Sequence, residues 1–103
     1  MSWQPDPRPV TWMNVGGTIA SGGVAQTVQC GSSGSPVRGF IIQNPSTATE
    51  SLFFEPNGVA TANSLEILPG GAIVWGPGTI FAGNAPSIFA VTTAHRFVCY
   101  YGQ

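Results

Sequence analysis

Leu65-Glu66-Ile67-Leu68-Pro69-Gly70-Gly71-Ala72-Ile73-Val74-Trp75 decides the fold class. Two short apolar runs flank a Pro-Gly-Gly break. Proline fixes its own φ and has no N–H to offer a strand ladder, and glycine accepts positive φ without strain. Leu65–Leu68 and Ala72–Trp75 therefore read as two strands around a tight corner. Side chains alternate along a strand, so Ala72 and Val74 share one face and Ile73 and Trp75 the other. One pair is expected in a core. The other must meet a covering loop or a neighbouring subunit.

The same grammar extends in both directions. Upstream, Val37–Asn44 and Glu50–Glu55 are apolar strands, the second closed by Pro56-Asn57-Gly58. Val10–Val15, a weaker Thr18–Ala20 and an alternating Val24–Cys30 precede them, broken at Gly16-Gly17 and Ser21-Gly22-Gly23. Gly31–Pro36 reads as a flexible loop. Downstream, Gly76-Pro77-Gly78 ends the second run. A weak Thr79–Ala82 follows, then Ser87–Thr92 and His95–Tyr101, with Thr93-Ala94 between them suggesting a hairpin. No 11-residue window shows a clean 3.6-residue period, so no substantial helix is expected. About eight short strands with a corner every 8–12 residues predict an all-β, antiparallel β-sandwich, Ig-like or jelly-roll-like. Residues 1–9, with Pro5, Pro7 and Pro9 alternating with polar residues, predict an extended N-terminal arm. Residues 10–103 form the single sandwich domain.

Composition narrows the function. The chain is 43% hydrophobic and only 7% charged, against about 25% charged in typical domains. It is too apolar to be disordered, and few like charges keep its copies apart. The cations are Arg8, Arg38 and Arg96, and the sequence contains no lysine. Such scattered arginines argue against nucleic acid, which needs clustered basic side chains. The N-terminus lacks the basic and apolar segments of a secretory signal, and no apolar run is long enough to span a membrane. The chain reads as a cytosolic product that starts at Met1. Cys30 and Cys99 are neither CxxC-spaced nor accompanied by enough ligands for a zinc site, so no metal or cofactor is expected. They read as free, partly buried thiols.

Candidate chemistry is sparse. A Ser-His-Asp triad would need His95 and Asp6, and Asp6 sits in the Pro-rich arm. His95 and Cys99 are four residues apart, about 13 Å along a strand, too far for a thiolate–imidazolium pair. Glu50 and Glu55 flank one strand on opposite faces. No catalytic residue is therefore assigned, and the chain is not expected to be an enzyme. By contrast, Phe40-Ile41-Ile42, Leu52-Phe53-Phe54, Ile73-Val74-Trp75 and Ile88-Phe89-Ala90-Val91 are apolar at consecutive positions. Their strands thus carry apolar side chains on both faces, more than one small interior can hold. This surplus predicts assembly.

From Val37 to Tyr101 the order of motifs resembles small β-sandwich structural proteins of tailed-bacteriophage virions. The shared pattern is Phe-Ile-Ile-Gln-Asn44, Ser-Leu-Phe-Phe, Asn57-Gly58, Leu68-Pro69-Gly70 before Ala-Ile-Val-Trp, then Ile-Phe-Ala-Val-Thr and Arg-Phe-Val-Cys-Tyr-Tyr. The resemblance does not reach residues 1–36 and carries over no functional residue. It implies a non-enzymatic capsid decoration, cement, fibre, head–tail or tail component, located in the virion after synthesis in the host cytoplasm. Its partners would be copies of itself and other virion proteins. The arm would then reach a neighbouring subunit through Trp3, Pro5, Pro7 and Pro9, with Trp3 as anchor. Trp12, Trp75 and Tyr100 are candidate interface or ligand aromatics. The alternative they support is a receptor- or carbohydrate-binding module that stacks a glycan on these rings.

Overall fold

The structure is a computed structural model that describes residues 11–30, 36–82 and 86–103. The expected arm, with Trp3, Pro5, Pro7 and Pro9, lies outside the described residues, as do Val10, most of the Gly31–Pro36 loop and the 83–85 corner. Every regular element among the described residues is a strand: β1 (Trp12–Asn14), β2 (Gly17–Thr18), β3 (Gln26–Thr27), β4 (Pro36–Gln43), β5 (Leu52–Glu55), β6 (Leu65–Ile67), β7 (Ala72–Ala82), β8 (Ser87–Phe89) and β9 (Arg96–Gly102). They form two antiparallel sheets, ordered β1-β9-β4-β7, with β2 also on β9, and β3-β8-β5-β6. The expected all-β antiparallel sandwich is the fold.

The pairings are nested. β1 pairs with β9, β3 with β8, β4 with β7 and β5 with β6. A long antiparallel ribbon whose halves pair in this way, rolled so that β4 also meets β9 and β5 also meets β8, is the winding of a jelly roll. It decides between the two topologies that strand spacing left open.

The rolling bears out the corner between the two runs and corrects the expected hairpin. β6 and β7 do flank the Pro69-Gly70-Gly71 corner, but they belong to different sheets and do not pair. Gly70 takes φ 83° there, a conformation open to glycine at little cost. Likewise β8 and β9 are not a hairpin, because the 90–95 connection carries the chain from one sheet to the other. A second difference concerns Gly76-Pro77-Gly78, which does not end a strand. β7 continues to Ala82, and the extra residues are absorbed as a register shift between Arg38 and Phe40 of β4. β7 is an edge strand, where the missing proline N–H breaks no inner ladder. β3 in turn is shorter than the predicted Val24–Cys30, although Val28 and Cys30 are buried as their alternation requires.

The core lies between the sheets. Phe40, Ile42, Phe97, Cys99 and Tyr101 from one sheet meet Leu52, Phe54, Ile67 and Ile88 from the other. Phe40 and Phe54 stack across the interior with ring centroids 5.2 Å apart. Ile73 and Trp75 pack against this core, whereas Ala72 and Val74 face outward. Of the two pairs set by alternation, the core pair is therefore Ile73 and Trp75. Burial of each large apolar side chain contributes roughly 1.5–3 kcal/mol, which explains why a domain with so few charges folds around this one interior.

Candidate functional site

Two regions stand out: a polar cluster where the inter-sheet loops meet, and the outer face of the β1-β9-β4-β7 sheet. The cluster is centred on Asn44, just beyond β4. Its backbone N–H donates to the Gly71 carbonyl at 3.0 Å, and its own carbonyl accepts from Gly70 N–H at 2.8 Å. Its side-chain Nδ2 donates to the carbonyls of Glu50 and Ile67, both at 2.9 Å. With Nδ2 committed to two carbonyls, Oδ1 is left as an acceptor facing His95 Nε2 at 2.8 Å, so Nε2 donates to it. The other ring nitrogen, Nδ1, lies 3.1 Å from Glu50 Oε1. Asn44 is fully buried and the His95 side chain is 5% exposed.

The same cluster reaches every loop at this end. Thr92 N–H donates to Glu50 Oε1 at 3.1 Å. Gly23 N–H donates to the Ala90 carbonyl and Gly22 N–H to Thr93 Oγ1. Ile19 and Ala94 bond reciprocally with this turn, Ile19 N–H to the His95 carbonyl and Ala94 N–H to the Ile19 carbonyl. Ala94 is held at φ 68°, a region a non-glycine residue seldom occupies unless its surroundings impose it. The hydrogen bond from His95, followed by those from Thr92, holds the Glu50 carboxyl below its ordinary pKa against the opposing effect of burial. An open depression of about 240 Å³, lined by Thr47, Glu50, Thr92, His95 and Arg96 among others, lies between the 45–50 and 92–96 segments.

Chemically, this arrangement is a clamp. Both ring nitrogens of His95 already have partners within the chain, so neither is presented to the depression as a base. Cys99, four residues from His95, is buried in the core as a free thiol, as is Cys30. Burial pushes the Cys30 thiol up to about 11 and raises Cys99 further, with nearby Cys30 adding to the effect. Thiols in such surroundings are inert. Among the described residues no group of three or more His, Cys, Asp or Glu is placed to hold a metal ion, and no helix is long and apolar enough to cross a membrane.

The outer face of the β1-β9-β4-β7 sheet has the opposite character. Register places Ile41 between Tyr100 and Val74, and Gln43 between Val98 and Ala72. Asn14 of β1 pairs with Tyr100 and donates from Nδ2 to its hydroxyl at 3.3 Å. Trp12 pairs with Gly102, and its indole extends toward Gly39, where an added Cβ would stand 3.0 Å from Trp12 Cη2. The indole edge thus lies where a Gly39 side chain would stand, and Trp12 remains 39% exposed. Val74, farther along the same face, is 62% exposed.

Of the three candidate aromatics, Trp12 and Tyr100 therefore share this outer face and Trp75 does not. Trp75 points inward, its ring centroid 6.1 Å from Phe40 and 5.8 Å from Phe54. The sequence does not announce the Asn44–His95–Glu50 cluster, because it sets His95 near neither Asn44 nor Glu50. The signal was an Asn at a strand end and a Glu and a His near two corners, but only the roll of the chain brings them together. No protein family, curated protein or solved structure matches the chain.

Proposed function

We infer that this chain is a non-enzymatic structural protein of a bacteriophage virion: an accessory capsid decoration or cement protein, or a related head or tail component. It acts through repeated contacts with copies of itself and with other virion proteins. The observation that carries this reading is the outer face of the β1-β9-β4-β7 sheet, where Trp12, Ile41, Val74, Val98 and Tyr100 form an apolar strip across four strands. Contiguous exposed apolar surface on a small domain marks an interaction site, and a low charge content weakens the repulsion that keeps copies apart. The jelly-roll winding supports the reading by analogy only, since capsid and lectin domains both use it. The clamp on His95 agrees with a role that needs no general base.

The test is mass by sedimentation with negative-stain imaging. Wild-type protein is expected to form oligomers, and Val74→Asp to shift them toward monomer. Deletion of residues 2–9 is expected to weaken assembly through loss of the Trp3 anchor; unchanged assembly would remove the arm from the reading. A wild-type monomer at every concentration would end the self-association reading.

The exposed Trp12, with Asn14 and Tyr100 beside it, favours a second reading, a receptor- or glycan-binding module that stacks a sugar ring on the indole. It predicts glycan binding that is lost in Trp12→Ala while the oligomer survives. A flat glycan-array response would count against it.

A further inference from the structure

The charged side chains are sorted between the two outer faces. On β9, Arg96 alternates onto the same face as Val98 and Tyr100; on β4, Arg38 faces away from buried Val37. Both arginines border the apolar strip of the β1-β9-β4-β7 sheet. On the opposite side of the sandwich, Phe53 of β5 pairs with Phe89 of β8 and with Glu66 of β6. Phe53 and Phe89 are half-buried and meet edge to face at 6.1 Å. Glu55, two residues beyond Phe53, lies on the same face. Both arginines of the described residues thus lie on one outer face. Two of the three glutamates lie on the other, and the third, Glu50, is held in the loop cluster.

We propose that these faces are the two halves of one heterologous contact between copies of this chain. The outer face of the β1-β9-β4-β7 sheet of one copy seats on the outer face of the β3-β8-β5-β6 sheet of the next. This rests on the self-association proposed above and specifies its geometry. The occupant follows from charge complementarity. Each face offers an apolar centre, Ile41, Val74 and Val98 on one and Phe53 and Phe89 on the other, and the rims are of opposite sign. Unlike faces bring arginine to glutamate, whereas either face against itself sets like charges around a shared apolar centre. Rim pairs of this kind chiefly fix partner choice and register, while the apolar centre supplies affinity.

The two faces lie on opposite sides of the same sandwich, so every added copy leaves one face free. Such contacts build a ring if the rotation closes and an open stack if it does not. With sheets packed about 10 Å apart within and between copies, the stack advances on the order of 20 Å per subunit.

Charge reversal tests this directly. Arg96→Glu and Glu66→Arg are each compared with wild type by sedimentation velocity, alone and as an equimolar mixture, after circular dichroism has checked the fold. Wild type is expected to form species larger than a dimer. Each variant alone should associate at least about tenfold more weakly, since like-charge juxtaposition costs several kcal/mol. The mixture should recover toward wild type, because the two reversed faces complement each other and so do the two unaltered ones. A mixture no better than either variant overturns the heterologous contact. Normal association of Glu66→Arg with loss in Arg96→Glu also overturns it, in favour of the arginine face pairing with itself, and leaves the self-association reading intact. A monomeric wild type overturns both. Should either variant misfold, the wild-type protein still decides: association that does not weaken with rising salt is incompatible with opposed rims.

Discussion

The loop cluster and the outer face of the β1-β9-β4-β7 sheet draw on the same strands and differ in how fully they are satisfied. Both polar atoms of the Asn44 side chain and both ring nitrogens of His95 have partners inside the chain, and the 19–25, 44–51, 68–71 and 90–95 segments are tied together. Across Trp12, Ile41, Val74 and Tyr100 the apolar surface is left partly open. A buried polar group without a partner is costly, so the cluster must close within the chain. An exposed apolar face costs little in the folded state and is released from water only by another surface. The first region thus answers for stability and the second, in the function proposed above, for association, and substitutions should separate them.

The largest effect is expected at Asn44. Asn44→Ala removes the donor to the buried Ile67 carbonyl and the part-buried Glu50 carbonyl and the acceptor for His95 Nε2, leaving several groups without partners. A loss of about 3 kcal/mol follows, read as a lower urea midpoint at unchanged slope. A loss under about 1 kcal/mol would mean that water replaces the side chain and that the cluster is not closed.

Gly22→Ala comes next. An added Cβ would stand 2.2 Å from the Val91 carbonyl oxygen and 2.6 Å from Thr93 N, so backbone must move against backbone. The expected cost is about 2 kcal/mol, seen in the same titration. Wild-type stability in this variant would show that the 19–25 segment is not fastened to the 90–95 turn.

These two substitutions also mark how far the sequence could be read. Strand positions and facing were legible wherever alternation met a core: Ile73 and Trp75 in, Ala72 and Val74 out. Sheet membership was not legible. Leu68-Pro69-Gly70-Gly71 reads as a corner and Thr93-Ala94 as a hairpin turn, yet a corner residue reports a change of direction, not the sheet to which the next strand goes. Gly76-Pro77-Gly78 looked like a strand end because proline is penalised only where its N–H is needed, and the place of β7 at a sheet edge is a property of the whole fold. The Asn44–His95–Glu50 cluster was hidden for the same reason: its members are 6 and 45 residues apart in sequence and meet only once the ribbon is rolled. The surplus of apolar faces was legible as a count, but the sorting of arginines from glutamates required the register.

Acid should affect the cluster more gently. The Glu50 carboxyl has a native pKa below its ordinary value of 4.5, chiefly through its hydrogen bond with His95. A depressed carboxylate contributes stability that is fully present above its unfolded pKa and is lost as pH falls through the native value. Urea midpoints are therefore expected to hold down to about pH 4.5 for this group and to fall below it. Glu50→Gln, which keeps an acceptor for Thr92 N–H but does not titrate, should have a shallower acid limb. Equal acid limbs in the two proteins would remove Glu50 from the account.

The smallest effect on stability is expected on the open face, at Val74. The side chain is 62% exposed, lies on an edge strand and supports no buried group. Val74→Asp should thus cost less than about 1 kcal/mol, mostly β-propensity. Its effect on association should be the larger one, because a carboxylate then sits in the apolar strip and must be desolvated wherever that strip is covered. The informative quantity is the contrast between measurements on one protein: a urea midpoint close to wild type together with a sedimentation profile moved toward monomer. If the midpoint falls as far as in Asn44→Ala, the outer face belongs to the fold, and the division between a closed loop cluster and an open sheet face is wrong. If neither quantity changes, Val74 lies outside any contact, and the proposed association does not run through this strip.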